Sequence, residues 1–147
     1  MVSWQCLLKP GATMSLQPLL DAVAPIPLHA FAAMAAFVLG VVQLIAPKGT
    51  LPHRTLGWIW VILLATVAIS SFGIHGHSYR LWRDWSPIHL LSIIAPVMLV
   101  VGVIAARRHR VRAHAITMIS IFAGALVIAG VFTLVPGRVM HTVVFGR

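Results

Sequence analysis

The sequence predicts an all-α integral membrane protein, a four-helix up-down bundle, and three observations predict it. The first is composition. Of 147 residues, 60% are hydrophobic and only 9% charged, with a mean hydropathy of +0.98, where a soluble domain carries roughly a quarter charged residues. The second is a set of four uncharged apolar runs at about 28–46, 56–74, 88–106 and 115–135. Each is long enough to cross a hydrocarbon core of about 30 Å at a helical rise of ~1.5 Å per residue. The third is the shortness of the connections APKGTLPHRTLG, HGHSYRLWRDWSP and RRHRVRAH, which makes consecutive helices antiparallel neighbours. The runs lack strand alternation, and lipid tolerates only helices or closed barrels.

Residues 1–26 read as an N-terminal tail. MVSWQCLLKPGAT has no sustained period and lacks the pattern of a signal peptide. Its first dozen residues are expected to be mobile or extraneous, with Met14 as a second possible start. SLQPLLDAVAP offers a short helix at the membrane surface. Residues 27–147 then form one four-helix transmembrane domain. The first run opens on Pro27-Leu28-His29 and the third on Pro87-Ile88-His89. Trp58 and Trp60 on the second helix, and Trp82 and Trp85 before the third, suit interfacial belts. His29 and His53 stand 24 positions apart, His89 and His114 25. The chain therefore reads as two repeated helix hairpins offset by one loop residue, with approximate two-fold symmetry.

Eleven Lys and Arg face two acidic residues, Asp21 and Asp84. Without a soluble domain to present a basic face, nucleic acid is excluded as a partner. The first and third loops hold Lys48, Arg54, Arg107, Arg108, Arg110 and Arg112. The second loop holds Arg80 and Arg83, partly offset by Asp84, and the tails add Lys9, Arg138 and Arg147. The positive-inside rule puts the first and third loops in the cytoplasm, against anionic headgroups, and both termini outside. A lone cysteine, Cys6, excludes a disulfide framework.

The histidines carry the functional expectation. On this topology His29 and His89 enter from the outer side on the first and third helices, while His53 and His114 sit at the inner side on the second and fourth. In a square antiparallel bundle each pair is diagonal, an arrangement able to hold a planar macrocycle with an imidazole on each face. Helical spacing from His29 gives Ala32, Ala36, Gly40 and Gln43; from His89, Ser92 and Pro96; from His114, Thr117, Ser120 and Gly124. Small residues beside a histidine leave room for a bulky group, though the same stripes also serve close helix packing. Intramembrane ionisable residues are functional by default, whereas His53 and His114, beside arginines, are equally explained by interfacial solvation. His75, His77 and His141 lie on the outer side, and His109 is expected to be solvated. With both carboxylates outside the runs, paired-carboxylate catalysis and a di-iron centre are disfavoured. No phosphate loop, zinc-protease motif or nucleophile elbow is present.

At PIPLHAFAAMAAFVLGVVQLIAPKGTLPHRTLGWIWV, SPIHLLS, RRHRVRAHAITM and PGRVMHTVVFG, the chain resembles a bacterial family of four-helix predicted membrane proteins of unknown function, the DUF2306 type. The resemblance covers nearly everything after about residue 25 and implies membrane location without a reaction. More distantly, the histidine layout is similar to the di-haem core of cytochrome b of the five-sixty-one type. That resemblance implies an outer haem b on His29 and His89, an inner one on His53 and His114, and electron transfer with a quinone or another small oxidant or reductant. Ser92 and Thr117 would be supporting donors, with Arg80, Arg83 or Arg138 near the outer propionates. The 22 residues from His53 to His75 set the two layers about 30 Å apart, so either the helices tilt strongly or only one layer binds a cofactor. The outer layer is favoured because His75, His77 and His141 add ligands there. Enzymatic activity, as a haem-dependent membrane oxidoreductase, is left open. Two other readings use the same chain: Zn or Cu held at the outer face by His29, His75, His89 and His141, or a non-enzymatic scaffold or partner subunit.

Overall fold

The computed structural model describes residues 15–74 and 87–146 and is all-helical over them. A short helix, α1 (Gln17–Leu20), precedes α2 (Ile26–Ile45), α3 (Leu51–Ser71) and α4 (Pro87–Arg107). The fourth long helix, Val111–Phe132, consists of α5 (Val111–Ile121), a π-helical stretch Phe122–Ile128 and α6 (Ala129–Phe132). A last helix, α7 (Val139–Phe145), follows. All four long helices have the length and apolarity to cross a membrane, and the protein is a four-helix integral membrane bundle.

Two of these helices, α3 and α5, begin four or five residues before their apolar runs. Thr50 caps α3, its hydroxyl oxygen accepting from the His53 N–H at 3.3 Å, and Pro52 in the first turn removes a donor that would lack a partner there. Arg54 and Arg112 are tolerated in these first turns because long cationic side chains reach out to the interface. His53 and His114 thereby stand in the first turns of α3 and α5, at the helix starts expected for them.

The long helices form a closed ring: α2 packs on α3, α3 on α4, α4 on α5, and the π stretch returns to α2. Their neighbours run antiparallel, as the link from His29 at the start of α2 to Ser70 at the end of α3 requires. Ala36, Trp60, Leu64, Leu99, Ile121 and Leu126 form the interior. Outward positions are apolar too, Ile62 at 62% and Ile69 at 73% exposure, as expected where lipid is the solvent.

Trp60 corrects an expectation. It is 5% exposed rather than interfacial, and its indole N–H donates to the Ala36 carbonyl at 2.9 Å. Ala32, Ala36 and Gly40 do face inward, but the space beside them is taken. A Cβ on Gly40 would lie 2.6 Å from the Phe122 ring and 3.0 Å from the Trp60 indole nitrogen. The stripe serves close packing at mid-membrane, not a cavity.

The hairpins match in length but not in detail. α2 and α4 have 20 and 21 residues, and α3 and the fourth span 21 and 22. Only the fourth carries a π stretch among the described residues. The expected helix in SLQPLLDAVAP is present as α1. It packs on α7 and α2, with Leu19 and Val143 buried and the Ser15 N–H on the Val143 carbonyl at 3.2 Å.

Candidate cofactor-binding site

Two of the four candidate histidines are held in the same way. His29, in the first turn of α2, places Nδ1 3.1 Å from the Val67 carbonyl and 3.0 Å from Ser70 Oγ, both on α3. A carbonyl oxygen can only accept, so Nδ1 carries the proton in the neutral ring. Ser70 donates its own hydroxyl to the Thr66 carbonyl at 2.7 Å, leaving its lone pairs for the imidazole. His114, in the first turn of α5, likewise donates from Nδ1 to the Gly102 carbonyl of α4 at 2.9 Å. Gly102 makes that approach possible, since a Cβ there would overlap the Met118 methyl and press on Thr117. In both residues the tautomer and ring orientation are fixed through Nδ1, and Nε2 is left as the basic nitrogen. That is how ligating histidines are held in metal and haem sites.

His53 is placed differently. Its carbonyl accepts from Gln43 Nε2 at 2.9 Å, while its own Nδ1 and Gln43 Oε1 are buried without hydrogen-bond partners. Two complementary groups thus lie unpaired at the end of the bundle where the α2–α3 and α4–α5 loops lie. Buried polar atoms normally have partners, so this spot has unused capacity to hold or orient a polar group. His53 and His114, each in the first turn after one of these loops, share this end of the bundle.

His29 is anchored through Nδ1 on its sequential neighbour α3. Its expected partner across the bundle axis is His89, whose side chain is outside the described residues, as are His75, His77, Arg80 and Arg83. His141 rests against Phe145, ring centroids 4.8 Å apart, with Nδ1 buried and unpartnered. His109 is exposed in the α4–α5 loop as expected, at a φ of 54°. Among the described residues no group of three or more His, Cys, Asp or Glu is gathered to hold a metal.

Ser92 and Thr117 are both buried. Ser92 accepts from the Ser71 hydroxyl at 2.9 Å, and together with His29, Val67 and Ser70 it makes the terminal end of the bundle polar inside. An open cleft of about 430 Å³ adjoins this network, lined by Pro25, Leu28, Thr66, Ile69, Ser70 and Gly73. The polar groups therefore lie at two levels. His53 and Ser70 are 17 residues apart on α3, roughly 25 Å by helical rise, with packed apolar core between. Residue types and spacing pointed to His29, His53 and His114, and the Gln43 pairing was missed although its position on the His29 face was visible.

No curated protein and no solved structure matches the chain. A family model described as "Predicted membrane protein (DUF2306)" matches residues 26–145, nearly the whole membrane domain. The chain belongs to this DUF2306 family of predicted membrane proteins.

Proposed function

We propose that the protein is a small b-type cytochrome of the bacterial cytoplasmic membrane, binding haem through its helix-start histidines and exchanging electrons with a membrane quinone. The observation that carries the reading is the shared state of His29 and His114, each tied through Nδ1 to a neighbouring helix carbonyl with Nε2 left basic. The donor set suits the group at the ends of the bundle. The midplane does not, because Trp60, Leu64, Leu99 and Phe122 fill it.

In this reading His53 and His114 would hold the group at the basic-loop end, and His29 with His89 at the end bearing the chain termini. Haem would supply one-electron redox chemistry there, at a potential that ligand type, burial and hydrogen bonding would tune. The chain's own contribution is orientation. The Val67 and Gly102 carbonyls hold the imidazoles and raise their basicity, and the apolar core excludes water between the two levels. Both termini lie outside the cytoplasm, following the excess of Lys and Arg in the first and third loops.

Haem content decides the matter. The intact chain purified from haem-supplied cells is expected to contain haem b by pyridine haemochrome, and His29→Ala and His114→Ala each to lower its stoichiometry. Unchanged haem content in both variants would defeat the assignment. Stoichiometric zinc or copper with no iron would transfer the role to His29, His75, His89 and His141, and neither haem nor metal would leave a scaffold or partner subunit.

A further inference from the structure

The loops 46–50 and 108–110 bring six cationic side chains to one end of the bundle: Lys48, Arg54, Arg107, Arg108, Arg110 and Arg112. Asp21, the one acidic side chain among the described residues, precedes α2 at the opposite end, about 30 Å away by the length of that helix. Lys48 turns back on the protein, its ammonium donating to the Leu44 and Ala46 carbonyls. The five guanidinium groups have no hydrogen-bond acceptor among the described residues. Their compensating charge comes from outside the described residues.

One pair is also shaped. Arg107, in the last turn of α4, lies over the Trp58 ring of α3 at 5.8 Å from its centroid. Trp58 is half exposed, so the indole acts as a plate against which the guanidinium lies with its N–H edge free. Arg54 stands one helical turn before Trp58, on the same side of α3, and α3 packs on α4. One guanidinium therefore lies over an exposed aromatic ring and a second belongs to the residue one helical turn before it, at the mouth of the groove between the packed helices α3 and α4. Apolar Val100, Val101 and Ile104 lie exposed along α4 toward mid-membrane.

We propose that this groove binds an anionic phospholipid. The headgroup phosphate accepts from Arg54 and Arg107 while an acyl chain runs along the apolar surface of α4. Charge complementarity selects the ligand class, since a phosphodiester matches the planar guanidinium edge and basic sites between membrane helices favour anionic lipids. The location at the membrane surface, with apolar groove below, commits the occupant to a lipid rather than free phosphate.

The test uses the full chain in a neutral detergent, titrated separately with dioleoyl-phosphatidylglycerol, dioleoyl-phosphatidylcholine and inorganic phosphate. Retained lipid is counted by native mass spectrometry and the unfolding midpoint is followed. Phosphatidylglycerol is expected to be retained and to raise the midpoint more than the other two. The R54Q/R107Q variant should weaken its binding roughly ten-fold or more. The variant R110Q/R112Q, with the same charge removed, should keep most of it. W58L supplies a separate arm should the double variant fail to fold, and should weaken binding with no change of charge. Equal losses in the two charge-matched variants would reduce the effect to diffuse attraction and overturn the proposal. So would an equal shift with phosphatidylcholine or with phosphate alone, the latter assigning the groove to a free anion.

Discussion

Gly40 and Gly124 make a pair of opposite expectations at the residue scale. A Cβ at Gly40 would strike the Phe122 ring at 2.6 and 2.7 Å, whereas nothing lies within 4 Å of one at Gly124. Alanine is favoured over glycine in a helix by about 1 kcal/mol, but forcing an aromatic ring and the Trp60 indole apart costs about 1–3 kcal/mol. Gly40→Ala is therefore expected to lower the unfolding midpoint in detergent, and Gly124→Ala to leave it equal or higher. A rise with Gly40→Ala would mean that α2 and the π stretch are not in the contact described. His114→Phe keeps much of the ring's bulk and removes the link to the Gly102 carbonyl, a loss of roughly 0.6–2 kcal/mol for an interhelical hydrogen bond in a membrane protein. Its check is the same midpoint, and no change would remove His114 as an anchor. These roles were half legible: spacing put His29 and His114 in first turns, but their partners Val67 and Gly102 act through backbone carbonyls, which no side-chain letter announces. Trp60 misled because a tryptophan near a helix end reads as a belt residue, and only the ring of helices shows that it turns inward to Ala36.

Among the elements, the four long helices were the most legible because lipid enforces them: apolar length and internal hydrogen bonding leave no other choice. Their starts were read late in α3 and α5, since polar first turns look like loop until Thr50 and Pro52 are recognised as a cap and an N-terminal proline. The π stretch at Phe122–Ile128 was not legible at all. Wider i→i+5 turns leave no periodic mark, and such stretches frequently accompany functional positions. Here the stretch delivers Phe122 to α2, where its ring stacks on Phe37 at 5.5 Å and 24° and fills the face of Gly40. Phe122→Ala is expected to destabilise by about 1–3 kcal/mol, below the range for a fully buried phenylalanine because this ring is only partly covered. The difference should be read from thermal unfolding followed by far-ultraviolet circular dichroism, and an unchanged midpoint would contradict the role given to the ring.

For the whole molecule, the arrangement is a dry apolar core with polar equipment at both ends. The terminal end holds His29, Ser70, Ser71 and Ser92; the basic-loop end holds Gln43, His53, His114 and the arginines Arg54, Arg107, Arg108, Arg110 and Arg112. Family membership fixes the membrane setting, and charge asymmetry sets the proposed orientation. In a Cys6→Ser background, His109→Cys is expected to react with a membrane-impermeant thiol reagent in inverted vesicles but not in intact cells. Labelling in intact cells would reverse the topology. The central claim is that the anchored imidazoles hold haem, and the most direct measurement is the optical spectrum of the purified protein, air-oxidised and then dithionite-reduced. The account predicts sharp α and Soret bands on reduction, as for low-spin haem with two imidazole ligands. A featureless visible spectrum from cells supplied with haem would contradict it.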